Sequence, residues 1–299
     1  RQAAAVRAWA LTTETGDRDE FGESIDARVW RGMSVSRSEC VGESRCAYGA
    51  ECFTARRRDT AMQADIVVTN HAMLAIDAVE GIPVLPEHDA VIVDEAHELV
   101  DRVTQALALE LSPRSIEAAT ARARRFISEA AIADLEDAAV RLTEAMVREG
   151  RYREAPRDLL LALTTVRDCA RAAVGQISQD DDLDTLAARQ RARGLLDDVF
   201  DCAGRLIAAT ESEVTWVEGG AVRLAPLAIA GVLGQTLLAD GPVVLTSATL
   251  TLGGGFDVCA QRLGVGGAWQ SLDVGSPFDF AQQGILYVAK DLPAPGRDG

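Results

Sequence analysis

The sequence has almost no lysine. Lys290 is the only one, and arginine supplies every other basic side chain. This absence excludes a phosphate-binding loop of the Gly-x-x-x-x-Gly-Lys-Ser/Thr kind, whose lysine reaches the β- and γ-phosphates. Lys290 follows no glycine-rich loop, so these 299 residues hold no such element. Long apolar runs are missing too. No stretch of about 18 uncharged apolar residues occurs, which excludes a transmembrane helix. The opening Arg1-Gln2-Ala3-Ala4-Ala5-Val6-Arg7 has no apolar core and is not a signal peptide. A cytoplasmic setting is the expectation.

What is present fits a folded chain of more than one domain: 299 residues with 48% hydrophobic content. The net charge of −16 argues against a surface that binds nucleic acid all over. A local basic track is compatible with it, because phosphates are contacted by patches. Such a track exists: seven arginines from Arg28 to Arg58 stand against Glu39, Glu43 and Glu51, a net of +4. The acidic excess lies mostly after Asp101.

Three short apolar runs each end in polar residues: Ile66-Val67-Val68-Thr69-Asn70, Ala90-Val91-Ile92-Val93-Asp94 and Val243-Val244-Leu245-Thr246-Ser247. Continuous β-branched runs predict parallel strands buried on both faces. The ligand crevice of an open α/β sheet lies at the carboxyl ends of its strands, where Asn70, Asp94 and Ser247 would stand. From about 101 to 210 the pattern becomes helical. Leu159, Leu160, Leu163, Val166 and Ala170 recur at three-to-four spacing, as do Leu195, Leu196, Val199, Cys202 and Leu206. Gly175 and Asp180-Asp181-Asp182 predict a break between helices. Val214–Glu218 and Val222–Leu224 flank Gly219-Gly220 and predict a hairpin. A helix entered at Pro226 follows, over 226–239. Ile285–Val288 predicts one more strand.

Asp94-Glu95-Ala96-His97 carries the strongest chemistry. A carboxylate at a strand end can hold Mg²⁺ through oxygen, and a second beside it can orient an attacking water. The plainer reading is an acidic cap on the next helix. Ser247-Ala248-Thr249 would place hydroxyls at the same edge, or would cap a turn. Cys40, Cys46 and Cys52 are spaced by five residues each, among Arg37, Arg45 and Arg56-Arg57-Arg58. Three thiolates so close suit an iron–sulfur cluster, or zinc with a further ligand; the alternative is three unlinked cysteines. Cys169 and Cys202 fall on apolar helix faces and read as core, and Cys259 also reads as structural. Asn70 and His71 suit either support of the site or a strand cap. Tyr48 and Phe53 suit base stacking or packing against the cysteine-rich segment.

Asp94–His97, the cysteine trio before it, the helical insertion after it and Ser247–Thr249 together resemble the DinG branch of the XPD-like, superfamily 2 iron–sulfur helicases. Thr13–Glu20, Ala64–Leu74, Leu245–Leu250 and Ser276-Pro277-Phe278-Asp279 resemble further blocks of that family. The likeness spans about residues 10–290 and is loosest in the helical insertion.

The resemblance implies an α/β fold: a RecA-like parallel-sheet motor domain, incomplete here, with a cysteine-rich cluster insert and a mostly helical arch insert. The implied organisation is 1–27 part of the first motor domain, 28–62 the cluster insert, 63–100 the motor domain with the Asp94 strand, 101–210 the arch, 211–275 the motor domain resumed, and 276–299 the start of the second motor domain. It implies an ATP-dependent DNA helicase of 5′→3′ polarity, bacterial and cytoplasmic, acting in repair or replication on single-stranded and branched DNA as a monomer. Asp94 would hold Mg²⁺, Glu95 would position water for ATP hydrolysis, and His97, Ser247 and Thr249 would couple hydrolysis to movement. Cys40, Cys46 and Cys52 would be three ligands of a 4Fe–4S cluster, with the fourth before residue 1. Arg56, Arg57, Arg58, Tyr48 and Phe53 would line the DNA path. Without a phosphate-binding lysine, the 299 residues alone are expected to be inactive. The rival readings are another Asp-Glu-Ala-His ATPase acting on RNA with zinc at the cysteines, and a non-enzymatic DNA-binding or redox-sensing module.

Overall fold

A computed structural model describes residues 1–35, 39–80, 84–178, 183–239 and 241–288. Arg37, the Asp180–Asp182 run and Lys290 lie outside the described residues. The chain separates into a large unit, Arg1–Val265, and a small one, Gly266–Gly299.

The large unit opens with α1 (Gln2–Ala10), α2 (Ala27–Met33), α3 (Phe53–Met62) and α4 (His71–Glu80). Then come β1 (Val91–Val93), α5 (Leu99–Ala106), β2 (Leu109–Leu111), α6 (Pro113–Ala123), α7 (Glu129–Ala145), β3 (Gly150–Tyr152), α8 (Arg157–Val174) and α9 (Leu183–Ile207). It closes with β4 (Glu213–Glu218), β5 (Ala221–Pro226), α10 (Ala230–Gln235), β6 (Val243–Leu245) and α11 (Asp257–Leu263). In the small unit the described residues hold one short helix, α12 (Phe280–Gln283). Among the described residues no helix is long and apolar enough to cross a membrane. The fold is mixed α/β.

Two cores form. The larger is helical. Leu159, Leu163, Val166, Ala170 and Ala173 line one face of α8, while Ala192, Leu196, Val199, Ala203 and Leu206 line one face of α9. This is the three-to-four periodicity read in the sequence. Local signals start the helices: Ser112 and Ser115 form a reciprocal capping box at α6, with Pro113 at its first position, and Ser128 caps α7 by accepting from the Ala131 N–H. Against this bundle lies an antiparallel sheet in the order β2-β5-β4-β3. Its central hairpin turns at Gly219 and Gly220, whose φ values of 60° and 73° suit a two-residue turn that residues with a Cβ rarely adopt.

The smaller core surrounds two parallel strands, β1 and β6, paired Val91↔Val243, Ile92↔Val244 and Val93↔Leu245. Leu74 and Ala75 of α4, Leu99 and Val103 of α5, Leu233 of α10 and Leu263 of α11 pack there with Val93.

Five expectations differ from this structure. Ile66–Asn70 forms no strand: it pairs with no strand among the described residues, and Ile66 and Val68 stay 83% and 93% exposed. A β-branched run becomes a strand only where another strand accepts its backbone hydrogen bonds. Ile285–Val288 is likewise irregular and exposed. The β1/β6 sheet buries one face, since Val93 is 2% exposed but Ile92 is 74% exposed. Finally, the hairpin at 213–226 pairs with β2 and β3 and contributes Val217, Val222 and Leu224 to the helical core, whereas α5 belongs to the smaller core. Pro226 ends β5, and the following helix is confined to Ala230–Gln235.

Candidate active site

The site is built at the carboxyl ends of β1 and β6. The parallel ladder continues past the strands: the Thr246 N–H donates to the Val93 carbonyl at 2.8 Å, and the Ala96 N–H donates to the Thr246 carbonyl at 2.9 Å. These two bonds bring Asp94-Glu95 against Thr246-Ser247. The Thr246 hydroxyl donates to Asp94 Oδ1 at 3.0 Å, and the Ser247 hydroxyl donates to Glu95 Oε2 at 3.1 Å.

Ser247 also receives. Its Oγ lies 2.7 Å from His97 Nδ1 and accepts the Thr249 N–H at 3.2 Å. A hydroxyl has one proton to give and two lone pairs. Because that proton goes to Glu95, His97 Nδ1 is the donor to Ser247 Oγ. The same nitrogen stands 3.2 Å from Glu95 Oε2. Glu95, Ser247 and His97 thus form a closed three-member network, and Thr249 Oγ1 sits 3.4 Å from Ser247 Oγ at its margin.

Glu95 is the only non-glycine among the described residues with positive φ, at φ 49° and ψ 43°. The left-handed conformation costs about 1–2 kcal/mol for a residue with a Cβ. It lets the chain leave an extended strand and bury Ala96 completely within one step, while Glu95 stays 56% exposed in its side chain. The Ala96–Thr246 bond and the full burial of Ala96 together offset a strain of that size, at about 1 kcal/mol per net hydrogen bond. Strain held by surrounding structure at an exposed acidic pair is a common mark of a functional site.

His71, at the start of α4, has Nε2 2.9 Å from the Asp94 carbonyl. A carbonyl only accepts, so this nitrogen is the donor. Asn70 accepts the Met73 N–H and caps α4. Beyond the network, Glu98 is held below the ordinary carboxylate range by its hydrogen bond to Arg102 and that residue's charge. It is therefore engaged with arginine and is not the acid offered to a ligand.

Thr246 was not among the predicted site residues. Its signal is the parallel register, which sets it opposite Asp94 but cannot be read before the strands are paired.

The cysteines are placed differently. Cys40 is exposed, Cys46 and Cys52 are half-buried, and none forms a disulfide. Short turns join the last two: the Gly49 N–H donates to the Cys46 carbonyl, and the Cys52 N–H donates to the Gly49 carbonyl. Among the described residues no group of three or more His, Cys, Asp or Glu is gathered closely enough to hold a metal ion. The three thiols as placed do not present a cluster-binding set. Burial raises the Cys169 thiol and pushes Cys202 up to about 12, consistent with core cysteines.

Arg56, Arg57 and Arg58 are exposed on α3, and Tyr48 is 73% exposed. Phe53 differs. The Arg56 guanidinium lies 5.0 Å from its ring centre, and a Cβ built on Gly16 would stand 2.5 Å from Phe53 Cγ. With Gly16 packed this closely, the Phe53 ring is engaged in local packing.

No family model matches the chain. It is similar to the ATP-dependent helicase DinG of Mycobacterium tuberculosis strain H37Rv, with 42% identity over 317 residues, covering 100% of this chain and 48% of that protein. It is similar to the ATP-dependent DNA helicase YoaA of Escherichia coli K12, with 27% identity over 333 residues, covering 98% of this chain and 50% of that protein. The chain thus spans about half the length of the curated relatives it matches. A solved structure titled XPD_Helicase superposes with a TM-score of 0.51 at 15% identity, over 78% of this chain and 47% of that one, a likeness of fold.

Proposed function

From a chain that belongs with the DinG-type, XPD-like helicases over its whole length, we propose that it supplies part of the ATP-driven motor of a DNA helicase. The observation that carries this reading is the meeting of Asp94 and Glu95 with Thr246, Ser247 and His97 at one strand edge. An acidic pair, hydroxyls and a histidine are a donor set suited to Mg²⁺ and phosphate chemistry.

In this reading Asp94 is the Mg²⁺ ligand, offering a hard carboxylate oxygen that Thr246 orients. When bound, the ion neutralises charge on the transferring phosphoryl group. Glu95 holds the attacking water and accepts its proton. Ser247 and His97 sense the state of Glu95 through the shared network, and Thr249 extends that network to the loop after β6. The 299 residues lack a phosphate-binding lysine, so turnover depends on a phosphate loop outside them.

Residues 63–100 and the β6 region are read as first-motor segments, as is the stretch before residue 28. The helical unit is read as an arch, and 276–299 as the start of a second motor. Arg56, Arg57 and Arg58 with Tyr48 are read as the local DNA track, binding without sequence preference and weakening with salt. We read the motor as a monomer of 5′→3′ polarity in the bacterial cytoplasm, acting on single-stranded and branched DNA in repair or replication, as the family resemblance of the sequence implies. The 4Fe–4S reading rests on the family resemblance, with Cys40, Cys46 and Cys52 as three of its ligands, and no catalytic step passes through a cluster.

The test is magnesium-dependent ATP turnover and strand separation by the full-length protein. Asp94→Asn should abolish Mg²⁺-dependent turnover while leaving DNA binding intact. Turnover persisting at the wild-type rate would overturn the assignment.

A further inference from the structure

The backbone between Asp94 and Glu95 is held from a third direction by a side chain that makes no contact with the acidic carboxylates. We infer that His71 is a positioning residue: by donating its Nε2–H to the Asp94 carbonyl, it fixes the left-handed turn that presents Glu95. The inference rests on the proposed role of Glu95, and it adds a residue that the acidic motif and its hydroxyl partners do not include.

Three observations meet here. The bond is 2.9 Å long and spans 23 residues of sequence, from the first residue of α4 to the end of β1. The residue that follows, Glu95, is the only non-glycine with positive φ among the described residues. The base of α4 is itself fixed, since Asn70 caps it and Leu74 and Ala75 are buried in the small core. The imidazole therefore projects from an anchored helix end.

The Asp94–Glu95 turn has two ways to relax. The peptide can rotate, which moves the Asp94 carbonyl, or the following amide can leave Thr246. His71 blocks the first, and burial of Ala96 with its N–H on the Thr246 carbonyl blocks the second. Toward Asp94 and Glu95 the hydroxyls of Thr246 and Ser247 reach only the carboxylates. Without His71 the side-chain bonds survive in part, while the peptide plane that aims Glu95 is released. A misaimed base loses turnover more than binding, because its work is done in the transition state.

Glutamine is the informative replacement. Its terminal amide places an N–H close to where the imidazole Nε2–H stands, whereas alanine removes the donor. Two measurements separate this inference from the broader reading. The first is amide hydrogen exchange at Ala96 in the chain itself, which reports the turn whatever the protein does. His71→Ala should speed exchange there by about tenfold, the loss of roughly one net hydrogen bond, and His71→Gln should restore most of the protection. The second is ATP turnover by the full-length protein. His71→Ala should lower kcat by about tenfold with KM for Mg–ATP little changed, and His71→Gln should recover it.

Unchanged exchange at Ala96 in His71→Ala overturns the inference even if the protein proves to be a helicase. Faster exchange in both variants, with no rescue by glutamine, also overturns it, because the hydrogen bond would then not be what matters. If His71→Ala does not fold, wild-type exchange and kcat in His71→Gln uphold the inference, and a collapse of kcat in the folded His71→Gln overturns it.

Discussion

His97 Nδ1 stands 2.7 Å from Ser247 Oγ, although 150 residues separate the two in the chain. The whole helical bundle and its four-stranded sheet leave and return between them. The parallel pairing of β1 with β6 makes the meeting possible, and the hydroxyl's single proton gives it a direction: His97 to Ser247 to Glu95.

Glu95→Gln tests the proton acceptor. The amide keeps an oxygen for Ser247 but cannot take a proton from water. ATP turnover of the full-length protein should fall by about 10²-fold or more, with DNA affinity unchanged in a titration. Retained turnover would remove Glu95 from the mechanism.

Ser247→Ala tests coupling. It removes the Glu95 donor and the acceptor of both His97 and the Thr249 N–H. Ser247 is only half-buried, so the stability cost should stay near 1 kcal/mol. Strand separation per ATP consumed should fall further than ATP consumption itself. Equal losses in both would mean that Ser247 serves hydrolysis alone.

Leu163→Ala tests whether the two cores are independent. Leu163 is fully buried in the helical core, and truncation should cost about 2–5 kcal/mol. A melting curve should show the helical unit weakened, while amide exchange at Ala96 in the small core keeps its wild-type rate below the transition. Parallel loss at both places would show one cooperative block.

The thiols should separate by reactivity and by pH. Cys40 is exposed, so an alkylating reagent should label it first, and Cys202 should label only on unfolding. Burial raises the Cys202 thiol from 9.0 to about 12. A group whose folded pKa is raised contributes stability that is complete below the unfolded value and is lost as pH climbs toward the folded one. Denaturant midpoints should therefore be flat in this respect below pH 9.0 and fall between 9.0 and about 12, and Cys202→Ala should flatten that slope. A slope that persists in the variant would assign it elsewhere.

Cys46→Ser tests the cluster reading. If the spaced cysteines hold iron and sulfide in the full-length protein, the purified wild type should be brown and Cys46→Ser should lose both elements by chemical analysis. Equal metal content in the two would place the ligands elsewhere.

Local chemistry in the sequence determined much. The helical faces of α8 and α9 follow from the spacing of Leu159, Leu163 and Val166 and of Leu196, Val199 and Leu206. Gly219-Gly220 dictates its hairpin turn. Asp94, Glu95 and His97 are legible as candidates because they cluster just past one apolar run, and Ser247 because it stands just past another. The lack of a phosphate-loop lysine is legible without any structure.

Tertiary structure decided the rest, because a strand is defined by a partner distant in sequence. Ile66–Asn70 and Val91–Val93 read alike locally, yet among the described residues only the second has a neighbouring strand to accept its hydrogen bonds. The same dependence moved the 213–226 hairpin into the helical unit's sheet and set Thr246 opposite Asp94. It also brought the His71 imidazole to a backbone carbonyl 23 residues away. Apolar periodicity specifies which face a segment buries; the pairing partner and register depend on the whole chain closing on itself.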